Sequence, residues 1–152
     1  MSQVPKQRLA LMGSTGSIGE QTLDIVRRHA ERFEIDTLVA HSRWQALAEQ
    51  AREFGARAVV IGDERHYNAL CEALASSGIS VAAGSEAIRE AAASYRSDTI
   101  VNALVGYAGL HPTLAAIHSG KRIALANKET LVVGGDIVMR EAKRKGVEIL
   151  PI

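Results

Sequence analysis

One cysteine, Cys71, stands in 152 residues. A lone thiol excludes an internal disulfide and supplies no metal-ligand spacing, the ordinary cysteine usage of a reducing cytosol. We read it as a small buried hydrophobe rather than a nucleophile. Charge of one sign is lacking too: 18 Lys and Arg against 17 Asp and Glu leave a net +1. That balance excludes the global field by which proteins gather nucleic acid or an anionic membrane, so any bound anion must be held locally. No stretch approaches the roughly 20 apolar residues of a membrane span, and "MSQVPKQR" leads into a hydrophobic strand without the apolar core of a signal peptide. The expectation is a soluble, cytoplasmic protein with neither a nucleic-acid nor a membrane partner. Repeats, low-complexity segments and linkers are also missing, and the length suits one domain with a real core.

What is present is an alternation. Short apolar runs of strand length are separated by stretches of helical period, the βαβ signature of a parallel sheet. The strands are expected at Arg8–Met12, Glu34–Ala40, Arg57–Ile61, Ile79–Ala82, Thr99–Leu104, Arg122–Ala126 and Val147–Leu150. Most lack strict alternation, as strands covered on both faces do. Helices are expected at Ser17–His29, Trp44–Phe54, Glu64–Ser76, Glu86–Tyr95, Pro112–Ser119 and Leu131–Lys145, the last interrupted by Gly134-Gly135 and so open to division in two. Gly55, Gly78, Gly120 and Gly146 sit where left-handed residues end helices. The fold class that follows is α/β: a doubly wound, mostly parallel Rossmann-like sheet with helices on both faces.

The first strand runs straight into "GSTGSIG" and an amphipathic helix. Gly13, Gly16 and Gly19 give G-x-x-G-x-x-G, a variant of the dinucleotide fingerprint in the strand–turn–helix context the motif demands. Gly13 suits the tight turn off the strand, Gly16 lets backbone N–H groups approach a pyrophosphate, and Gly19 permits close helix packing. Ser14, Thr15 and Ser17 offer hydroxyls where the positive end of the helix dipole favours an anion. The second strand ends at His41-Ser42-Arg43 without a carboxylate. An Asp or Glu there would select NAD, whereas Arg43 can fork onto the 2′-phosphate of NADP(H) with Ser42 adding a hydroxyl. Alternatively, Arg43 only caps the turn into the next helix.

A second informative stretch is "ALVGYAGLHPTLAAIHSGKRIALANKETLV". It contains a strand end opening into Gly106-Tyr107-Ala108-Gly109, and a strand "RIALA" ending at Asn127-Lys128-Glu129-Thr130 before a helix. Polar residues at the carboxyl ends of parallel strands stand where such sheets bind ligands. Taken alone, Asn127 reads equally as an N-cap. Together with "LMGSTGSIGEQTLDIVRRH", this stretch closely resembles the 1-deoxy-D-xylulose 5-phosphate reductoisomerase family, collinearly from Leu9 to Ile152, with a poorly diagnostic middle from about Gly62 to Tyr95. "LANKETLV" is the most particular of these motifs.

The resemblance implies an enzyme that isomerises 1-deoxy-D-xylulose 5-phosphate and reduces the product with NADPH to 2-C-methyl-D-erythritol 4-phosphate, in non-mevalonate isoprenoid synthesis. It implies a divalent metal (Mg, Mn or Co) and a homodimer for the full-length family. By it, Thr15, Gly16, Ser17 and Ile18 contact the pyrophosphate side of NADPH. His41, Ser42 and Arg43 occupy the 2′-phosphate corner, Asn127 and Glu129 match cofactor contacts, and Lys128 matches a residue reaching the sugar phosphate. Many members carry Gly-Lys-Asn or Gly-Arg-Asn at His41-Ser42-Arg43, so the individual contacts there differ. Tyr107 stands where Ala is frequent. In the family, Asp-Ser-Glu of the metal site follows the equivalent of Ile152, and catalytic and C-terminal domains follow in turn. Residues 1–152 are therefore expected to be the NADPH-binding domain, with no catalytic or metal residue of their own and no turnover alone. The histidines form no metal pattern. Two other readings remain: a free-standing NADP(H) sensor, and the cofactor domain of another two-domain reductase such as a semialdehyde dehydrogenase.

Overall fold

The computed structural model describes residues 4–126 and 128–152, without the side chains of Tyr107, Lys128 and Val133. Its strands are β1 (Gln7–Met12), β2 (Phe33–Ala40), β3 (Ala58–Ile61), β4 (Ser80–Ala83), β5 (Thr99–Asn102), β6 (Arg122–Leu125) and β7 (Ile149–Pro151). They alternate with α1 (Ser17–Arg28), α2 (Trp44–Phe54), α3 (Tyr67–Ala73), α4 (Ser85–Ala93), α5 (Leu110–His118) and α6 (Lys128–Lys145). Every pairing is parallel, in the order β4-β3-β2-β1-β5-β6-β7. The chain thus builds outward from β1 in one direction, then crosses back to lay β5 on its other side. That reversal is the switch point at which open α/β sheets bind ligands, beyond the carboxyl ends of their strands.

Two apolar layers hold the sheet. On one face, Leu9, Leu11, Leu38 and Val59 pack against Leu23 and Val26 of α1, Leu47 and Ala51 of α2, and Leu70 of α3. On the other, Ala10, Met12, Val39 and Ile100 meet Ala92 of α4, Ala116 and Ile117 of α5, and Val138 and Ala142 of α6. The sheet is therefore doubly wound, and apolar residues on both faces of β1 to β6 explain why strict alternation is missing from the sequence. Cys71 is partly buried on α3 rather than fully enclosed. Among the described residues, no helix is long and apolar enough to cross a membrane.

Parity along β2 is broken once. The β1–β2 register shifts between Leu9 and Ala10, which pair with Ile35 and Thr37, so Asp36 is the extra residue. This bulge places Ile35, Leu38 and Ala40 together on the first face. Its polar cost is met locally. Arg57 Nε and Nη2 donate to the Asp36 carboxylate at 3.0 and 3.1 Å, and the Thr37 hydroxyl donates to it at 2.7 Å. Burial alone would raise the Asp36 pKa, but the bonds from Arg57 and Thr37 prevail and hold it below the usual carboxylate range.

Differences from the expected elements have local causes. The segment from Glu64 divides into a 3₁₀ turn (Glu64–His66), whose N-cap Asp63 accepts the Arg65 N–H, and a short α3. That helix stops well before Gly78, so Gly78, with Ser76, supplies left-handed turn geometry and caps nothing. Gly55, Gly120 and Gly146 do follow helix ends with positive φ. α5 starts at Leu110, two residues before Pro112, because proline is tolerated in a first turn. α6 runs from Lys128 through a kink at Gly134 (φ −124°, ψ 17°), the division the Gly-Gly pair suggested.

Leu38 is fully buried at the centre of the first layer. Replacing it with Ala is expected to cost about 3 kcal/mol, read as a lower urea midpoint at unchanged slope. Since the folded-state pKa of Asp36 is depressed, its contribution is complete above about pH 4 and lost as pH falls through the folded value. Asp36→Asn is accordingly expected to flatten the decline of stability between about pH 4 and pH 2 relative to wild type, as measured by denaturant midpoints.

Candidate functional site

The sequence-assigned residues at 13–19 and 41–43 lie together beyond the carboxyl ends of β1 and β2, joined by Arg43, whereas Glu129 follows β6, on the far side of β5. At the end of β1 the chain must turn sharply between two neighbours. Gly13 takes φ +87°, and a Cβ there would lie 2.6 Å from the Ala103 carbonyl oxygen at the end of β5. Gly13 N–H and Ser14 N–H both donate to Val39 O of β2, at 2.8 and 2.9 Å. The loop is thus sewn to both neighbours of β1. Gly19 is equally constrained, since its Cβ would fall 2.1 Å from Gly13 O, so the first turn of α1 rests directly on the loop.

Gly16 differs. Its φ is −82°, ordinary for any residue, and the nearest heavy atom to an added Cβ is Gly13 O at 3.7 Å, a normal contact. Nothing among the described residues requires glycine at this exposed position. An external group approaching the backbone closely would. Gly16 is also the N-cap of α1, without a side-chain cap bond, so the first-turn N–H groups of the helix are presented to whatever lies beyond. Ser17 and Ile18 are exposed here. Ser14, by contrast, is fully buried, so its hydroxyl cannot serve an outside ligand as the sequence suggested.

At the end of β2, His41, Ser42 and Arg43 are all exposed. Arg43 occupies the N-cap position of α2 but makes no side-chain cap bond. Instead its Nη1 reaches across to donate to Thr15 O at 2.8 Å, setting the guanidinium beside the glycine loop. His41 packs over Gly62, whose added Cβ would lie 2.9 Å from Nδ1. Ser42, Arg43 and Trp44 line a groove of about 510 Å³ with His66, a residue that sequence reading had not singled out because it lies in an unremarkable stretch of polar side chains. Glu129 is half-buried in the first turn of α6. Asn127 and the Lys128 side chain lie outside the described residues, as does that of Tyr107.

The loop after β5 is shaped by a residue whose role the sequence did not reveal. Asn102 is fully buried; its Nδ2 donates to Gly109 O (3.0 Å) and Thr113 Oγ1 (2.7 Å), while its Oδ1 accepts the Leu104 N–H (3.2 Å). Thr113 Oγ1 in turn donates to Gly109 O at 2.7 Å. This network ends β5 at Asn102, two residues before the expected strand end at Leu104, and leads the chain into the 3₁₀ turn Gly106–Gly109. The arrangement can bind a phosphorylated ligand through loop backbone, helix dipole and Arg43. Among the described residues, no group of three or more His, Cys, Asp and Glu gathers to hold a metal ion.

Gly19→Ala is expected to lower stability by about 3 kcal/mol, because backbone on both sides must move. Gly16→Ala, by the same chemistry, is expected to cost about 1 kcal/mol or less, the N-cap preference alone. Thermal melts of the two variants side by side check this difference. Asn102→Ala is expected to cost about 2 kcal/mol or more through the loss of three hydrogen bonds made by a fully buried amide.

The comparisons with known proteins agree with this geometry. The profile described as 1-deoxy-D-xylulose 5-phosphate reductoisomerase matches residues 9–135. The reductoisomerase of Bacteroides fragilis is 44% identical over 152 residues, all of this chain and 39% of its own length. The Zymomonas mobilis enzyme, solved in complex with NADPH, superposes with a TM-score of 0.92 at 41% identity over 97% of this chain and 38% of that one. A DOX-P reductoisomerase structure with NADPH, fosmidomycin and magnesium gives 0.91 at 43%, over 95% of this chain and 36% of its own. The chain therefore spans well under half the length of the relatives it matches, and it belongs to the 1-deoxy-D-xylulose 5-phosphate reductoisomerase family.

Proposed function

We propose that residues 1–152 form the NADPH-binding domain of a 1-deoxy-D-xylulose 5-phosphate reductoisomerase. The observation that carries this reading is Gly16: glycine where neither backbone conformation nor packing calls for one, at the exposed N-cap of α1. A pyrophosphate held there by the backbone of Thr15, Gly16, Ser17 and Ile18 accounts for it. Gly13 and Gly19 serve the same site indirectly, by letting the loop lie between β2, β5 and α1.

Arg43 is assigned to the 2′-phosphate of the adenosine ribose, with His41 and Ser42 completing the corner. One of its N–H groups is spent on Thr15 O, and the fork retains others for a phosphate. Asn127 and Glu129 are assigned to the cofactor and Lys128 to the sugar phosphate; along the chain all three follow β6, which lies beside β5 of the switch point. When bound, NADPH supplies hydride to the rearranged substrate. The task of this chain is to bind the dinucleotide, orient it across the crevice and select the phosphorylated form.

The whole enzyme, on this reading, turns 1-deoxy-D-xylulose 5-phosphate into 2-C-methyl-D-erythritol 4-phosphate, works as a cytoplasmic homodimer and has neither nucleic acid nor membrane as partner. Its divalent metal is not assigned to the residues described here, which gather no ligand set, and no metal step is routed through them. Exposed Val105, Leu131, Val132, Leu150 and Ile152 lie near the carboxyl ends of β5, β6 and β7, where the remaining length of the enzyme has apolar surface to cover.

Two outcomes are expected. Arg43→Ala weakens NADPH binding about 10- to 100-fold more than NADH binding, the range for hydrogen bonds to a charged group. Calorimetric titration with both cofactors reads it, and equal losses would remove the 2′-phosphate assignment. With NADPH and magnesium added, the 152-residue chain is expected to consume no 1-deoxy-D-xylulose 5-phosphate; NADPH oxidation above background would contradict its role as a binding domain alone.

A further inference from the structure

α2 grips the glycine loop twice. Arg43 Nη1 donates to Thr15 O at 2.8 Å, and Gln50 Nε2 donates to the preceding carbonyl, Ser14 O, at 3.0 Å. The two side chains stand seven residues apart, two helical turns, and so share one face of α2. Gln50 Oε1 is buried without a hydrogen-bond partner among the described residues, so the carboxamide is used through its donor arm. Turning the amide over would set Oε1 against Ser14 O, oxygen against oxygen, which settles its orientation.

The consequence comes from peptide geometry. In a planar trans peptide, the carbonyl of one residue and the N–H of the next point in opposite directions. Drawing Ser14 O and Thr15 O toward α2 therefore turns the Thr15 and Gly16 N–H groups away from it. Gly16 N–H meanwhile makes only a long 3.3 Å bond to Gly13 O, which a phosphate oxygen can replace. Without the two grips, the loop carbonyls could rotate toward the ligand side and present negative charge to an anion.

We propose that Gln50 is a positioning residue for the cofactor: paired with Arg43 on one face of α2, it locks two successive loop carbonyls away from the pyrophosphate and so presets the anion-binding backbone. The inference rests on the reading of this loop as a dinucleotide site. It separates the two ends of the cofactor. Gln50 governs the pyrophosphate, common to NAD and NADP, whereas Arg43 shares that grip and also reads the 2′-phosphate.

The test titrates the 152-residue chain and its Gln50→Ala variant with NADP⁺, NAD⁺ and adenosine 2′-phosphate, which lacks the pyrophosphate. NADP⁺ and NAD⁺ are expected to weaken by the same factor, about 10-fold for a lost hydrogen bond and a misdirected carbonyl, with adenosine 2′-phosphate unchanged. Gln50→Glu adds a readout that a merely structural role would not move. Ionised Glu accepts only, and regains a donor when protonated. Glu20, Asp24 and Arg27 of α1 and Glu49 and Glu53 of α2 line the groove that Gln50 adjoins, with Arg43 on the same face of α2, and four carboxylates against two guanidinium groups favour that protonation. The deficit of Gln50→Glu relative to wild type is therefore expected to shrink by about 3-fold or more from pH 8 to pH 5. A folded Gln50→Ala chain with wild-type affinities overturns the proposal, as does a loss confined to NADP⁺ or a Gln50→Glu deficit independent of pH. Should Gln50→Ala not fold, the Gln50→Glu ratio decides alone. Wild type binding neither dinucleotide would instead defeat the cofactor reading itself.

Discussion

Three pieces of backbone meet where β1 ends, and hydrogen is the only side chain that fits between them. Gly13 faces the Ala103 carbonyl from one side and Gly19 faces Gly13 O from the other, each at a distance no Cβ could occupy. This contact sets how closely β5 lies beside β1 and how low α1 sits on the loop. Through them it decides where the first-turn N–H groups point. The switch-point crevice is the outer side of that contact.

Around it, polar groups are placed so that the loop has few other conformations open to it. Val39 O receives two loop N–H groups, α2 takes two loop carbonyls, and Asn102 closes the strand on the far side with its amide fully bonded. An anion site made of backbone needs this support, since peptide groups that can rotate favour an anion no more than water does. The ion pairs at the helix surfaces, such as Arg27 with Glu53, are half-exposed and contribute less. The Asp36–Arg57 pair is better enclosed and stabilises the bulge that brings Ile35 and Leu38 to one face.

Much of the fold was legible because its signals are local. Strand-length apolar runs, helical periods and glycine stops marked seven strands and six helices within a few residues, and "GSTGSIG" marked the loop. The misplaced boundaries fell where a side chain decides through contacts distant in sequence or through a cap. β5 stops at Asn102 because of Thr113 and Gly109, and the segment capped by Asp63 divides after His66. The candidate site was legible in the same measure. Gly13, Gly19 and Arg43 carry motif signals, whereas Gln50 and His66 read as ordinary polar residues of a solvated face.

The sequence by itself determined the fold class, the family and the glycine spacing, because these depend on residue type and order along a short stretch. Only the tertiary structure decided which glycine answers to the protein and which to a ligand, since that depends on what a Cβ would meet. It also decided that Ser14 is sealed inside, that Arg43 reaches back to Thr15, and that Gln50 joins it two turns later. These are contacts between β1, β2 and α2, brought together by the parallel sheet, and nothing in any one segment encodes the distance between them.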